Sequence, residues 1–418
     1  MRILLTFLVL ASTLLGACSG DQRATDPAAG PALRLQAEPW RLPADTVAAQ
    51  PDLVAAPDGS LLLSWLSPDG TGHQLRYARF SAGQWQPALP IARGDDWFVN
   101  WADTPHLAAS ADGALWAQWL RRSAGNPHAY DVQLVRSADG RQWSAPVTVH
   151  DDGTVTEHGF VSLWPEGTDG MGIAWLDGRH TAGSAHHGGG AMTLRSARFD
   201  AGLRRHDEQE LDAMTCDCCQ TGASVAATAT LLVYRGRDAS EIRDIHLRRH
   251  TAGGWQPARR VHADNWTMPA CPVNGPAVSA RGNDAWVAWY TAPQGEPRLR
   301  IAHSRDGGAT FGAPREPDRG IEVQGRVQLA ADADGVWLAW LREDAQAQSL
   351  WLARYTPALQ HELGRLQVAT LQGRGRGTGF PRLLAAGGRA HLVWTDVVDG
   401  RPLLRGAVVS ALPAGGTP

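Results

Sequence analysis

The sequence predicts an all-β protein, specifically a β-propeller built of four-stranded antiparallel blades. Three observations lead to this prediction: seven paired apolar segments joined by turns, a spacing of about 51 to 59 residues between the pairs, and no long stretch of helical periodicity. A period of this length is typical of one supersecondary unit repeated around a ring. Each pair closes on an aromatic residue, and these residues are Trp65, Trp119, Trp175, Tyr234, Trp289, Trp340 and Trp394.

The second copy shows how each predicted blade is built. One apolar run lies on each side of the turn Ala111-Asp112-Gly113, and another on each side of Asp139-Gly140. Short runs of alternating polarity around Asp-Gly turns are typical of antiparallel hairpins. The four runs are residues 106–110, 114–120, 132–137 and 143–149.

The last copy, residues 380–411, lacks a fourth run. We expect residues 33–42 to supply that strand, because closing the ring with the N-terminal segment hides sheet edges that would otherwise favour aggregation. Seven copies closed in this way predict seven blades.

The overall composition excludes one class of partner. The formal net charge of −3 is small, whereas a nucleic-acid-binding domain usually carries a strongly basic face. We therefore expect no nucleic-acid partner, and we expect a monomer. The 18 tryptophans are numerous, but most recur at fixed places in the repeat and are interpreted as core residues.

The first residues are predicted to be a targeting signal. Arg2 supplies the positive start, residues 3–15 are apolar, and Leu15-Gly16-Ala17-Cys18 is a small-residue cleavage region. The apolar stretch is shorter than the roughly 20 residues that a membrane-spanning helix needs. A plain secretory signal is one interpretation of this segment.

This segment resembles a bacterial lipoprotein signal. The resemblance implies lipid attachment at Cys18, and Ser19 after it favours a cell-envelope location at the outer membrane, facing the periplasm. The membrane would then be a partner through the lipid anchor. The predicted organisation is a signal peptide and lipobox at 1–18, a flexible tether at 19–33 and the propeller at 34–418.

Two predicted turns between third and fourth strands are Ser304-Arg305-Asp306-Gly307-Gly308-Ala309-Thr310-Phe311 and the shorter Ser137-Ala138-Asp139-Gly140-Arg141-Gln142-Trp143. These turns resemble the Asp box of sialidases and other BNR-repeat proteins. The Asp accepts backbone N–H bonds within its turn, and the aromatic packs into the blade. The residues that carry the resemblance are Ser304, Asp306, Gly308 and Phe311 in one turn, and Ser137, Asp139 and Trp143 in the other.

The resemblance also suggests an alternative blade number and an activity. Sialidases usually have six blades, so six is the alternative to seven. A sialidase-like exo-glycosidase would need an arginine triad, a tyrosine nucleophile with a glutamate partner and an aspartate acid/base. The Arg-Ile-Pro motif near the first inner strand is missing, and no tyrosine lies in a loop that leads into an inner strand.

Propeller geometry predicts where the chemistry lies. The loops that lead into the innermost strands converge near the axis, and the loops between second and third strands open on the same face. Such a mouth is a common ligand site. Most of the chemically unusual residues of this chain lie in those loops.

Four cysteines, Cys216, Cys218, Cys219 and Cys271, are the most specific feature of these loops. The repeat places Cys218 and Cys271 at equivalent positions in adjacent blades. Disulfides are one interpretation, because the cell envelope is oxidising. The other is a thiolate metal site completed by histidines, for which sulfur ligands favour copper(I) or zinc. The histidine candidates are His158, His180, His186 and His187.

Charged residues in the same loops are candidates for catalysis. Canonical glycoside hydrolysis needs two carboxyl groups, and arginine forks bind a substrate carboxylate. The alternative is that these groups pair with one another or are solvated. The candidates are Asp103, Glu157, Asp177, Arg179, Arg235, Arg237 and Arg326.

The sequence thus favours a lipid-anchored propeller that binds a metal, glycan, small molecule or protein partner around its axis. An exo-acting glycoside hydrolase of sialidase type is the alternative function.

Overall fold

The structure, a computed structural model, describes residues 32–44, 47–123, 128–181 and 190–413. The signal peptide with Cys18, nearly all of the tether, and His186 and His187 lie outside the described residues, so the predictions made for them remain predictions. No helix in the described ranges is long and apolar enough to cross a membrane.

The described chain consists of β-strands and three short 3-10 turns, Arg179–Thr181, Pro293–Gly295 and Gly375–Thr378. The strands are β1 (Leu33–Pro39), β2 (Ala49–Ala55), β3 (Leu61–Asp69), β4 (Gly72–Ser81), β5 (Gln84–Trp85), β6 (Leu89–Gly94), β7 (His106–Ala109), β8 (Leu115–Arg122), β9 (Tyr130–Ser137), β10 (Val147–Thr148), β11 (His158–Glu166), β12 (Gly170–Asp177), β13 (Thr193–Phe199), β14 (Arg205–Asp212), β15 (Gly222–Val225), β16 (Thr230–Arg235), β17 (Ile245–Thr251), β18 (Gly254–Trp255), β19 (Arg259–Arg260), β20 (Ala277–Arg281), β21 (Asp284–Thr291), β22 (Arg298–Ser304), β23 (Val323–Ala331), β24 (Val336–Glu343), β25 (Gln348–Tyr355), β26 (Glu362–Leu371), β27 (Arg382–Ala386), β28 (Arg389–Val398) and β29 (Arg401–Pro413).

These strands form seven antiparallel sheets, which confirms the seven-bladed propeller and shows that the six-blade alternative is wrong. Blades I to VII start at β2, β7, β11, β15, β20, β23 and β27, which are the inner strands. In blades I and IV the fourth strand is split in two, as β5 with β6 and β18 with β19. Blade V has three strands, and its outer edge is completed only by bridges from Arg315 and Arg319 to β22.

The N-terminal strand closes the ring, as the sequence predicts. Strand β1 pairs antiparallel with β29 along its whole length, from Leu33 opposite Pro413 to Pro39 opposite Ala407. Leu35 is buried in the core between the last two blades. Each inner strand contacts the next one, and β27 contacts β2, so the ring is continuous.

The closing aromatics of the repeat lie on the second strands and are all buried between blades. Burial of an indole N–H requires a partner, because an unpaired buried donor costs free energy. Three of these tryptophans donate to a carboxylate, which lies at the end of the same strand for Trp175 and in the loop that leads in from the preceding blade for Trp289 and Trp340. The bonds are Trp175 to Asp177 at 2.7 Å, Trp289 to Asp264 at 2.6 Å and Trp340 to Asp318 at 2.7 Å.

The turn of blade II that holds Asp139 is fastened both internally and to the preceding blade. The Asp139 carboxylate accepts the N–H groups of Arg141 and Gln142, each at 2.8 Å. Trp143 packs against the core between blades I and II. The carbonyl of Gly140 accepts the hydroxyl of Tyr77, on the third strand of blade I, at 2.6 Å.

The turn of blade V that holds Asp306 repeats this arrangement. Asp306 accepts the Thr310 N–H at 2.8 Å, and Phe311 packs against the core between blades IV and V. The carbonyl of Gly307, at the position equivalent to Gly140, accepts a bond from Arg249 on the third strand of blade IV at 2.8 Å. Both turns therefore join neighbouring blades, far from the loops that lead into the inner strands.

Candidate functional site

A series of hydrogen bonds between neighbouring blades holds the loop face together. In each case a side chain from one blade accepts a backbone N–H at the start of the next inner strand: Asp52 accepts from Leu107 at 2.9 Å, Asp103 from Phe160 at 2.8 Å and Asn274 from Arg326 at 2.7 Å. The loops therefore rest on a fixed frame, which is what a preorganised site requires.

The cysteines form one cluster on this frame. The Sγ atom of Cys216 lies 3.0 Å from that of Cys219 and 3.9 Å from that of Cys218, and all three are free thiols. Cys271, from the loop that leads into blade V, lies close enough to Cys218 for that thiol to lower its pKa. Two consecutive loops thus bring four sulfurs together, with Cys216 and Cys219 buried and Cys271 exposed.

The cluster is poised for thiolate chemistry. Burial of Cys216 opposes its ionisation, but hydrogen bonds from the Cys218 and Cys219 thiols and the charge of Arg235 hold its pKa well below the usual value. The pKa of Cys271 is also lowered, chiefly by the neighbouring Cys218 thiol. Burial and the bond with Cys216 raise the pKa of Cys219. Because thiolates are the metal-binding and nucleophilic form of cysteine, this cluster is chemically competent.

A buried guanidinium completes the surroundings of the sulfurs. Arg243, on the loop between the second and third strands of blade IV, donates to Cys216 Sγ at 3.2 Å and to Glu241 at 2.8 Å. Arg237 also pairs with Glu241, at 2.9 Å, and lies 3.5 Å from Asp217. The repeat pattern alone does not identify Arg243 as a neighbour of the cysteines.

The four candidate arginines do not converge on one ligand site. Arg235 is fully buried, donates to the carbonyls of Asn274, Arg243 and Tyr290, and packs on Trp266. The hydrogen-bond donors of its guanidinium are therefore taken up by backbone carbonyls, so Arg235 is not available to bind a substrate carboxylate.

Arg326 is likewise enclosed. Its guanidinium lies over the rings of Trp101 and Phe380 and donates to Thr378 and to the carbonyls of Gly375 and Gly379. Burial lowers its pKa to about 10.

His158 does not join the cysteines. Its ring is buried and stacked on His150, with ring centroids 3.6 Å apart. Its Nε2 lies 3.1 Å from Asp152, and its Nδ1 lies 3.3 Å from the carbonyl of Tyr130. The histidine predicted to complete a thiolate shell belongs instead to a separate cluster between blades II and III.

Asp177 and Arg179 belong to that second cluster. The Asp177 carboxylate is buried and accepts a forked bond from Arg179, at 2.8 and 2.7 Å, in addition to the Trp175 indole. Arg179 also contacts Glu208 at 3.1 Å. Asp177 and Arg179 are therefore hydrogen-bonded within this cluster. His180 is more exposed, and its Nε2 lies 3.3 Å from Glu210.

Asp103 and Glu157 meet near the start of blade III. Burial raises the pKa of Asp103 to about 8, and the nearby charge of Glu157 adds to the shift. The Tyr130 ring lies beside them, and a Cβ at Gly159 would fall 2.0 Å from the second Asp103 oxygen. The space around Asp103 is closed tightly, although Glu157 remains partly exposed.

Sequence reasoning missed His150, Asp131, Asp152 and Tyr130. The signal available was weak: His150-Asp151-Asp152 directly precedes the loop that leads to His158, and Asp131 follows the variable loop of blade II. Neither position identifies its partner until the blades are placed side by side.

Comparisons with known proteins identify the fold only. No protein-family profile matches the chain, and a search of curated protein sequences finds no relative. The solved polysaccharide lyase Uly1 is similar with a TM-score of 0.54 and 9% identity, covering 88% of this chain and 90% of the lyase. A protein of unknown function from Dyadobacter fermentans is similar with a TM-score of 0.49 at 13% identity, covering 87% and 94%.

An α-L-arabinofuranosidase of Fusarium graminearum, with a TM-score of 0.43 at 12% identity, covers 87% of this chain and 93% of its own. Similar structures thus include glycoside hydrolases and polysaccharide lyases. At these identities the likeness concerns the fold, and function must be argued from the residues of this chain.

Proposed function

We propose that this chain is a metal-binding propeller of the bacterial cell envelope, which holds a soft metal ion at the cysteine cluster of its loop face. The observation that carries the proposal is the convergence of Cys216, Cys218 and Cys219, whose sulfurs all lie within 4.8 Å of one another, with Cys271 beside them. Thiolate ligands select copper(I) or zinc, and copper(I) is the better match for a site made of sulfur alone.

The arrangement favours the thiolate form of Cys216 and Cys271, whose pKa values are lowered. The pKa values of Cys218 and Cys219 are raised, so these two thiols hold their protons until a metal ion replaces them. Arg243 and Arg235 place positive charge next to Cys216, which favours ions of low charge over highly charged ones. A monovalent ion with two thiolates leaves one negative charge for these guanidiniums to balance. Disulfides are the competing state, because the cell envelope oxidises free thiols.

Copper content tests the proposal directly. The mature chain is reduced, loaded anaerobically with copper(I), and challenged with a copper(I) chelator of known affinity. We expect at least one bound copper per wild-type chain and at least tenfold weaker retention in Cys216→Ser and Cys218→Ser. Met214→Leu is the matched control, because it removes a nearby exposed sulfur that is not part of the cluster.

Free-thiol counting accompanies the metal analysis. If Cys218→Ala leaves the bound copper unchanged and lowers the number of titratable thiols before reduction by one, Cys218 is a free thiol, and both the metal site and a disulfide involving Cys218 are excluded. A disulfide would instead raise the number by one, because its partner is liberated.

Carbohydrate processing is the second candidate function. Its support is a buried carboxyl group that stays protonated near neutral pH, Asp103, with the charge of Glu157 close enough to raise its pKa further. Glycosidases use a protonated carboxyl group as general acid beside a second carboxyl group. Uly1, the similar structure with a TM-score of 0.54, is a polysaccharide lyase, as its name states.

A panel of fluorogenic glycosides tests this candidate. If it holds, the wild-type chain releases sugar from at least one substrate, and Asp103→Asn loses about 100-fold or more, the usual worth of a general acid. Absence of release by the wild-type chain across the panel, or full activity of Asp103→Asn, would eliminate it.

A further inference from the structure

A second cluster of metal-ligating side chains lies between blades II and III, apart from the cysteines. It contains His150 from the loop after β10, His158 at the start of β11, Asp131 on β9 and Asp152 from the intervening loop. The two imidazoles are buried, with 6% and 0% of their surface exposed.

Hydrogen bonding to Asp152 fixes which ring nitrogens carry protons. One oxygen of Asp152 lies 2.8 Å from His150 Nδ1 and 3.1 Å from His158 Nε2. A carboxylate accepts, so both of these nitrogens donate. In metal sites the ligating histidine typically donates its other N–H to a carboxylate in this way.

The remaining ring nitrogens face oxygen atoms that accept hydrogen bonds and cannot donate them, so each nitrogen must carry a proton or bind a cation. His150 Nε2 is buried without a hydrogen-bond partner and lies 3.6 Å from an Asp131 oxygen. His158 Nδ1 lies 3.9 Å from the same oxygen and 3.3 Å from the Tyr130 carbonyl. When protonated, His158 Nδ1 donates to the Tyr130 carbonyl, and a bound cation would take the place of that proton.

The charges around the two imidazole rings also favour a bound cation. Three carboxylates, those of Asp131, Asp152 and Asp177, surround the imidazoles, and Arg179 is the guanidinium that pairs with two of them. With neutral imidazoles these four groups carry two more negative than positive charges. A buried excess of negative charge is costly, and one divalent cation would neutralise it.

We infer that His150 Nε2, His158 Nδ1 and Asp131 bind a divalent cation, with Asp152 as the shared outer carboxylate that orients both imidazoles. Two imidazoles and one carboxylate suit zinc or another borderline first-row ion rather than copper(I). The Tyr130 carbonyl is the adjacent fourth oxygen. The two ring planes are nearly parallel, with an angle of 11° between them. A nitrogen lone pair lies in the plane of its ring, so binding one ion through both rings is expected to increase this angle.

Zinc titration in a cysteine-free background tests this inference independently of the thiolate site. The chain carrying serine at Cys216, Cys218, Cys219 and Cys271 is expected to bind one zinc ion at pH 7.5. Asp131→Asn and His150→Ala are expected to weaken that binding at least tenfold, and Asp152→Asn by about 10- to 100-fold.

His303→Ala, in blade V, is the matched control. His303 also pairs with an aspartate, Asp284 at 2.7 Å, but in the described chain it belongs to no group of three or more metal-ligating side chains. Circular dichroism confirms that each variant is folded. Absence of zinc binding in the folded cysteine-free chain, or equal binding by Asp131→Asn, would overturn the inference and assign two protons, not an ion, to the imidazole pair.

Cobalt(II) provides a second measurement on the wild-type chain after its thiols have been alkylated, in case the serine variant does not fold. Alkylation removes thiolate-bound cobalt, which would otherwise contribute ligand-field bands of its own. An ion at this site would show ligand-field bands without the sulfur-to-cobalt charge-transfer band that thiolates produce. These bands are expected to disappear in Asp131→Asn and persist in Cys216→Ser. Their persistence in Asp131→Asn would equally overturn the inference.

Discussion

At the scale of single residues, similar side chains in equivalent places have opposite electrostatic states. Asp52 and Asp103 both accept a backbone N–H from the next blade and are both buried. Burial opposes ionisation of Asp52, but His106 and Arg382 outweigh it and lower its pKa to about 2. Asp103 has no such cation, so burial raises its pKa to about 8. The neighbours of a carboxyl group, which the sequence does not reveal, determine its charge.

This difference predicts opposite responses to pH. The folded chain holds the Asp103 proton more tightly than the unfolded chain, so this group contributes most stability at low pH and loses that contribution as pH rises from about 4 to about 8. Asp103→Asn removes the proton and retains an acceptor for Phe160. We therefore expect the free energy of unfolding of Asp103→Asn, relative to wild type, to rise between pH 5 and pH 8.

The expected slope is at most about 1.4 kcal/mol per pH unit, the value for one proton. Chemical denaturation at several pH values measures it. Asp332→Asn is the control: burial opposes ionisation of the Asp332 carboxyl group, but the Arg354 guanidinium outweighs it and lowers the pKa of that group. Neither group titrates in this range, so the difference from wild type should stay constant. Parallel pH profiles for Asp103→Asn and wild type would show that Asp103 is ionised in the folded chain.

At the scale of elements, the sequence predicts strands well and side-chain partners poorly. The four runs predicted for blade II overlap β7 to β10, because alternation and Asp-Gly turns are local signals. Ring closure by the N-terminal strand was also predictable, since only the last copy lacked a fourth run. In blade V, however, the outer strand is replaced by two isolated bridges, made by Arg315 and Arg319. The sequence after the Asp306 turn does not show that a regular fourth strand is missing there.

The candidate site shows the same limit. Proximity of Cys218 and Cys271 follows from the repeat, because equivalent positions in adjacent blades lie side by side. His158 was assigned to the cysteines by the same reasoning, yet its ring stacks on His150 instead. Which of several converging loops a side chain contacts depends on loop conformation, and the repeat period contains no information about that.

At the scale of the whole molecule, the cysteine cluster joins two blades of a closed ring. Cys216, Cys218 and Cys219 precede the inner strand of blade IV, and Cys271 precedes that of blade V. A ligand that binds only the folded ring stabilises it by mass action, by about 2.7 kcal/mol when its concentration is 100 times the dissociation constant. Copper(I) is therefore expected to raise the melting temperature of the reduced chain.

Calorimetry separates this expectation from the disulfide alternative. Reduced chain with copper(I) should melt above reduced chain without it, and Cys271→Ser should lose part of the shift because the ion then binds one loop only. Met214→Leu should behave as wild type. If disulfides cross-linked the ring, the result would differ. The oxidised chain would have the highest melting temperature, reductant would lower it, and copper(I) would leave the melting temperature of the reduced chain unchanged. That pattern would reassign the four cysteines from ligands to structural bridges between blades.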